Sequence, residues 1–312
     1  MEKFIILADV LCDLSQELRD RFGIKDYIHG HVHFSDGRDF KTSLDWDTVS
    51  HEDFYRDLSD RRMNISTAPA SPEEYYEIFR RYAEEGYDVL SISISDKVST
   101  TYASAKKAIE RIAAEYPERR AYALDSRRMS GGFGLLVAYA HELQREGKTM
   151  DEVIHRIEEL RDRVHQMGPI DDLMFVARRG RISTGKAIMG SFAGVKPMGD
   201  CNSDGYVTVL TKAKGMKKAL PLTAAYVAHA AVDIENQYVL ISHSNREAYA
   251  EQLRALIEEH LHPKKVLISD VFVAGGANIG PGMVCAYFLG EPISEDGEQE
   301  KAYMALAAED CR

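Results

Sequence analysis

Between Ile92 and Ala105 the chain reads ISISDKVSTTYASA: the apolar run DVLSISI (88–94) gives way to Ser95, Asp96, Ser99, Thr100 and Thr101 as a helical pattern begins. Hydroxyls at such a junction either cap the helix or donate hydrogen bonds to the acidic group of a ligand. His29, His31 and His33 form an HxHxH pattern. On a strand, alternation sets these side chains on one face about 7 Å apart, too wide for one zinc ion without help from another element. The pattern therefore predicts solvent-facing edge histidines and no metal site, with Asp36 and Asp39 the acids that a metal alternative would recruit.

Two glycine-containing stretches are candidate anion cradles. GRISTGKA (180–187) approaches the G-x4-G-K-[ST] loop, yet Ala187 stands where the magnesium-binding hydroxyl belongs. Arg181, Ile182 and Thr184 also crowd a backbone that would have to wrap phosphates, which leaves a basic turn before a helix start. GGANIGPG (275–282) lacks both the GxGxxG spacing and the acid that follows it in dinucleotide folds. It reads as a tight turn between strands, or as a place where glycines bring the backbone and Asn278 close to a ligand. No Ser-His-Asp or Cys-His set stands out, and SGGFG is not a nucleophile elbow. Asp9 and Asp125, at strand ends, are the candidate bases of a metal- or phosphate-dependent hydrolase or transferase.

The elements that must position these residues alternate through the first half. FIILA (4–8) is a strand, followed by a helix near 15–22 that Gly23 ends. HGHVHF (29–34) reads as a strand, with a helix around 51–60. SPEEYYEIFRRYAEEG opens with Ser71 as N-cap, Pro72 in the first turn and Glu74 closing a capping box. DVLSISI, a helix ending before Pro117, the strand RAYAL (120–124) and a helix over 130–146 complete a βαβα rhythm. That rhythm predicts a mostly parallel sheet flanked by helices. An amphipathic helix over 150–166 leads to a mixed pattern: strands DLMFVA, GVKPM and YVTVL, then VLISHS, a helix over 246–260, VLISDV and an acidic helical tail. The expected fold class is α/β with two α/β domains, residues 1–165 and 166–312, the second carrying a mixed sheet with helices.

The bulk properties bound the function. At 312 residues two domains are the default. A net charge of −11 repels phosphate backbones, which argues against a nucleic-acid partner. No apolar run is long enough to span a membrane, and Asp9 interrupts the N-terminal run, which suits a first strand better than a signal peptide. Cys12, Cys201, Cys285 and Cys311 are widely spaced and form no CxxC pair, as expected in a reducing cytoplasm.

Taken in order, seven segments resemble the DegV family of bacterial fatty-acid-binding proteins. ADVLCDLS resembles its DSTxDLP-type opening, retaining Asp9, Asp13 and Leu14; NISTAPASPEEY resembles its Thr-Ser-x-Pro-Ser loop; ISISDKVSTTYASA is similar to SSxLSGTYxSA. ALDSRRMSGGFGLLV resembles DSxxxSxGxG, DLMFVARRGRIS resembles DLxYLxxGGRI, Lys196-Pro197 its Lys-Pro pair, and ANIGPG its HxGPG turn. The resemblance implies a long-chain fatty acid bound in a buried tunnel between the domains, its carboxylate held by hydroxyls, without catalysis or cofactor. It also implies a separate fatty acid kinase as partner. The positions that match the family's head-group residues are Ser95, Thr67 (or Ser66 under a one-residue shift), Arg181 and Asn278. Asn278 replaces a histidine, Thr100 a glycine, and Val10-Leu11 a Ser-Thr pair; Ala68 stands where a serine follows the loop threonine.

Overall fold

The computed structural model describes residues 3–60, 62–182 and 194–312. Strands β1 (Phe4–Asp9), β2 (Tyr27–Ile28), β6 (Asp88–Ser93) and β7 (Ala121–Asp125) form an all-parallel sheet in the order β2-β1-β6-β7. The chain leaves β1 in one direction through α1 (Gln16–Phe22) and returns to build β6 and β7 on its other side. The order reverses between β1 and β6, and the crevice outside their carboxyl ends is where open α/β sheets take ligands. Helices α3 (Pro72–Glu84) and α4 (Thr101–Glu115) cover the outer face, where Tyr75, Phe79, Ala105 and Ile112 are buried. The Ser71 capping box starts α3, its hydroxyl accepting from Glu74 N–H while the Glu74 carboxylate accepts from Ser71 N–H.

The second sheet is mixed, in the order β12-β11-β13-β8, from β8 (Val164–Met167), β11 (Tyr238–His243), β12 (Lys265–Asp270) and β13 (Val284–Leu289). β11 runs parallel to β12 and antiparallel to β13. Its outer face is buried under α8 (Met216–Ala230), α9 (Glu247–Leu261) and α11 (Glu298–Asp310). Helix α5 (Ser130–Arg145), supported by α6 (Met150–Arg161), lies between the two sheets and joins them into one core. Its first turn is glycine-rich because nothing larger fits. A Cβ on Gly131 would sit 2.5 Å from Ser242 Oγ, and one on Gly132 would sit 2.9 Å from the Tyr287 ring.

Two smaller sheets complete the fold. β3 (His31–Phe34) pairs antiparallel with both β4 (Asp39–Lys41) and β5 (Ile65–Ala68), and α2 (His51–Ser59) and α10 (Val273–Ile279) pack against this sheet. β9 (Val195–Cys201) and β10 (Val207–Lys214) form an antiparallel hairpin.

The α/β reading, with a parallel first sheet and a mixed second one, holds, and four local expectations do not. HGHVHF is not one strand: it is broken at Gly30, whose N–H donates to Thr42 Oγ1. The amphipathic segment 150–166 ends as a helix at Arg161, and Val164–Met167 becomes β8 because it has β13 to pair with. DLMFVA is the short helix α7 (Leu173–Arg178), begun by the Asp172 carboxylate accepting from Phe175 N–H. GGANIGPG forms the end of α10 followed by a turn at Gly280 and Gly282, both at positive φ.

Candidate functional site

A cavity opens outside the carboxyl ends of β1 and β6, reached by residues of both sheets, of the small β3–β5 sheet and of the β9–β10 hairpin. Its volume is about 210 Å³. Most of the lining is apolar: Val10, Leu11, Ile94 and Val98 from the segments after β1 and β6 meet Val271 and Met283 from the ends of β12 and β13, and Met198 and Val209 from the β9–β10 hairpin. An apolar cleft with a few convergent polar groups is the usual form of a small-ligand site.

The sequence-predicted residues divide. Thr67, Asn278 and Arg181 line the cavity together. Thr67 is on β5, opposite Val32, and Asn278 is near the end of α10. Asn278 Nδ2 donates to Thr67 Oγ1 at 2.9 Å and to the Ala274 carbonyl at 2.9 Å. With its oxygen accepting from Asn278, the Thr67 hydroxyl keeps its own proton for a ligand acceptor. Arg181 lies further out, exposed, with Nη1 donating to the Arg179 carbonyl.

Ser66 and Ser95 are elsewhere. Ser66 is the exposed neighbour of Thr67 on the other face of β5, opposite His33. Ser95 is fully buried but does not line the cavity: its hydroxyl donates to the Gly205 carbonyl at 3.0 Å. Ile94 takes the cavity-facing position, and side-chain alternation then turns Ser95 away, under the β9–β10 turn. From the same hydroxyl-rich stretch, Ser99 and Thr101 do reach the cavity, with Thr101 Oγ1 donating to Ser99 Oγ at 3.2 Å.

Sequence reasoning offered Asp9 only as a base for the enzyme alternative and Asp13 only as a retained residue of the opening motif. Asp9 is buried at the end of β1, with Oδ1 accepting from Leu11 N–H and Oδ2 from Ile94 N–H. Burial raises its carboxyl to about 7, against the lowering effect of those two N–H groups and of Thr101. Asp13, at φ 48°, is also fully buried, and Oδ1 accepts from Phe272 N–H at 3.0 Å. Burial pushes its carboxyl up to about 8, eased by the neighbouring Ser130 hydroxyl and the Phe272 N–H. The Ser130 hydroxyl thus lies beside the Asp13 carboxyl, and both residues line the cavity. The signal was present in the sequence: Asp13 belongs to the opening motif and Ser130 to the SGGFG stretch.

The remaining candidates are accounted for by ordinary contacts. His31 Nε2 is 2.9 Å from Glu74, His33 Nδ1 is 2.8 Å from Asp39, and His29 Nδ1 meets the Thr42 carbonyl at 2.7 Å. Among the described residues no cluster of three or more His, Cys, Asp or Glu could hold a metal ion. Asp125 Oδ1 accepts from Arg127 N–H and Asp96 N–H, and Asp125 does not line the cavity that Asp9 borders. Most of GRISTGKA, from Ser183 on, lies outside the described residues. Among those residues, no helix is long and apolar enough to cross a membrane.

Comparison with known proteins agrees with this architecture. The family model described as an uncharacterised protein of the DegV family matches residues 3–291. A DegV domain-containing protein of Clostridium perfringens is 30% identical over 291 residues, covering 93% of this chain and 99% of that protein. Among solved structures, a DegV family protein of Thermus thermophilus described for fatty acid binding is 26% identical, with a TM-score of 0.80 over 92% of this chain and 99% of its own. The Streptococcus pneumoniae fatty acid kinase B3 protein, loaded with linoleic acid, shares the fold at 17% identity, with a TM-score of 0.78 over 93% of this chain and 100% of its own. With the match running almost from end to end, this chain belongs to the DegV family.

Proposed function

We propose that this protein binds one long-chain fatty acid in the cavity, without itself catalysing a reaction, and presents the carboxylate to a separate fatty acid kinase. The observation that carries the reading is the Thr67–Asn278 pair bordering a largely apolar cavity built by both sheets and the hairpin. A carboxylate buried with too few donors costs several kcal/mol, so a carrier must supply them at one end of the chain. The Thr67 hydroxyl is such a donor, and Arg181 supplies a cation at the cavity rim. Burying a C16 chain at ~0.8 kcal/mol per methylene gives roughly 12 kcal/mol gross. Losses to association entropy and head-group desolvation then leave affinity in about the micromolar to nanomolar range.

The description of the Thermus protein as fatty-acid-binding, and of the Streptococcus protein as part of a fatty acid kinase, supports the same reading. The acids that a hydrolase would use are dispersed: Asp9 has both oxygens committed to backbone N–H groups, and Asp125 is off the cavity. The test is solvent extraction of freshly purified protein followed by mass spectrometry. Near-stoichiometric C14–C18 acid is expected. Lipid-free protein that also fails to take up added palmitate or oleate would overturn the proposal.

A further inference from the structure

The β9–β10 hairpin forms a sheet of its own, yet it supplies Met198, Gly199, Val207 and Val209 to the cavity wall. A buried carboxylate ties its first strand to the second sheet. Asp200, 1% exposed, accepts on Oδ1 from Gln166 N–H at 2.8 Å and from Cys201 N–H at 2.7 Å. On Oδ2 it accepts from the Tyr226 hydroxyl of α8 at 2.8 Å and meets His165 Nδ1 of β8 at 2.6 Å. His165 is fully buried as well, and its Nε2 faces the Glu291 carbonyl at 2.8 Å. A carbonyl only accepts, so Nε2 carries a proton. Three other donors already converge on Asp200, so its last lone pair is met by a proton on Nδ1. With both nitrogens protonated, the ring is an imidazolium. Burial opposes that charge, while Asp200, the Glu291 carbonyl and Glu300 of α11 together raise the imidazole above its usual range. The other titratable or charged groups near the pair are Tyr226, Cys201 and, 3.6 Å apart, Arg163 and the Glu291 carboxylate.

We propose that His165 and Asp200 are positioning residues of the ligand site: as a buried imidazolium–carboxylate pair they hold the hairpin wall against the acyl chain and slow its release. Separating such a pair strands a charge in the interior, so the root of the hairpin stays closed while both partners are ionised. Once the ring loses a proton, two acceptors face each other, at Nδ1 against Asp200 or at Nε2 against the Glu291 carbonyl. The root then loosens, and release of the ligand quickens as pH rises through the titration of His165. The consequence reaches the cavity directly, because Gln166, bonded to Asp200 through its N–H, lines it beside Met198 and Gly199. This inference rests on the fatty-acid-binding reading and adds what governs retention of the acid.

The experiment measures release of palmitate from the loaded full-length chain into excess albumin, from pH 6 to 10. Asp200→Asn keeps an acceptor for the Gln166 and Cys201 N–H groups and can donate to Nδ1 of a neutral imidazole, so the contacts survive without the charge. The ratio of wild-type to Asp200→Asn release rates should rise about tenfold across the titration of His165, as for one lost hydrogen bond between charged groups. Asp9 and Asp13 titrate in both proteins and largely cancel in that ratio. Asp200→Ala should release palmitate faster than wild type at neutral pH. Nitrogen-15 NMR of the histidine rings at pH 7, with His165→Asn identifying the signal, should show both nitrogens of His165 protonated, and it keeps the test open if Asp200→Ala fails to fold. A ring with one proton, or a rate ratio that does not change with pH, overturns the proposal, while bound palmitate leaves the fatty-acid reading standing. Protein that takes up no palmitate overturns both.

Discussion

Asp13→Asn should make folding stability less dependent on pH, and the size of the effect follows from the burial of Asp13. In the native protein the carboxyl is held at about 8, against 3.8 as its ordinary value. Between those limits the native state holds a proton that the unfolded chain has released. Stability therefore falls as pH rises through this interval, and the loss is complete above the native value. The slope is about 1.4 kcal/mol per pH unit while the native carboxyl stays neutral. Asparagine keeps an oxygen able to accept from Phe272 N–H and never ionises. Urea unfolding of delipidated wild type and variant at pH 6, 7 and 8 would measure the difference. The variant's stability relative to wild type should grow with pH by at most about 3 kcal/mol from pH 6 to 8, and level off above that. Asp9, raised to about 7 by its own burial, adds a slope of the same sign to both proteins, which largely cancels in the difference. Parallel curves would mean that Asp13 is ionised in the native protein throughout, and that burial does not hold its carboxyl neutral.

Two further expectations concern the head group. Thr67→Ala should weaken palmitate binding by about 1–3 kcal/mol, as for the loss of a hydrogen bond to a charge. Ser95→Ala should leave palmitate affinity alone while lowering stability by about 1 kcal/mol, because its bond is to the Gly205 carbonyl. Calorimetry on the two variants separates these outcomes, and a Ser95→Ala variant that loses affinity would refute the placement of that side chain. Asn278→His should introduce a pH dependence, because an imidazole next to Thr67 gains charge as pH falls and attracts the carboxylate more strongly. The ratio of dissociation constants at pH 8 and pH 6 should then exceed the wild type's by about threefold or more, the wild-type ratio carrying the titration of Asp9 and Asp13 that both proteins share. A histidine variant whose profile matches the wild type's would remove position 278 from the head-group site.

What could be read in the sequence was what is decided locally. Ser71, Pro72 and Glu74 specify the start of α3 by themselves, since the cap needs only four consecutive residues. Gly23 likewise ends α1 in the left-handed region. Elements fixed by distant partners were not legible. Val164–Met167 has the apolar spacing of a helix end and becomes a strand only because β13, more than a hundred residues later, presents an edge to it. β5 pairs with β3 across an intervening strand and helix, so nothing near Ser66 and Thr67 indicates which of them turns inward. Short apolar or glycine-rich runs such as DLMFVA and GGANIG carry no periodicity long enough to separate helix from strand or turn. Their helices were settled by the Asp172 cap and by the packing of Gly276 against the Phe54 ring.

The hydroxyl-rich end of β6 shows how a correctly recognised segment can still mislead about its residues. Ser95, Ser99 and Thr101 lie within a few residues of one another, and only their directions differ. Ser95 ties the first sheet to the β9–β10 hairpin through Gly205, while Ser99 and Thr101 face the cavity. A Cβ at Gly205 would fall 2.6 Å from Ser95 Oγ, so any other residue at that turn would lift the hairpin that closes one side of the cavity. Ser95 thus holds the hairpin without facing the cavity, and the polar groups that line the cavity come from elements far apart in sequence: Thr67 from β5, Asn278 from α10, Asp13 from the turn after β1 and Ser130 from the start of α5. Such a set is assembled by α5 lying between the two sheets, with Gly131 and Gly132 close against Ser242 and Tyr287. Bulk at either glycine would push the start of α5, and Ser130 with it, away from the second sheet. The spacing of the two sheets therefore sets the position of Ser130 beside Asp13, whereas the Thr67–Asn278 pair depends on the contact of α10 with β5.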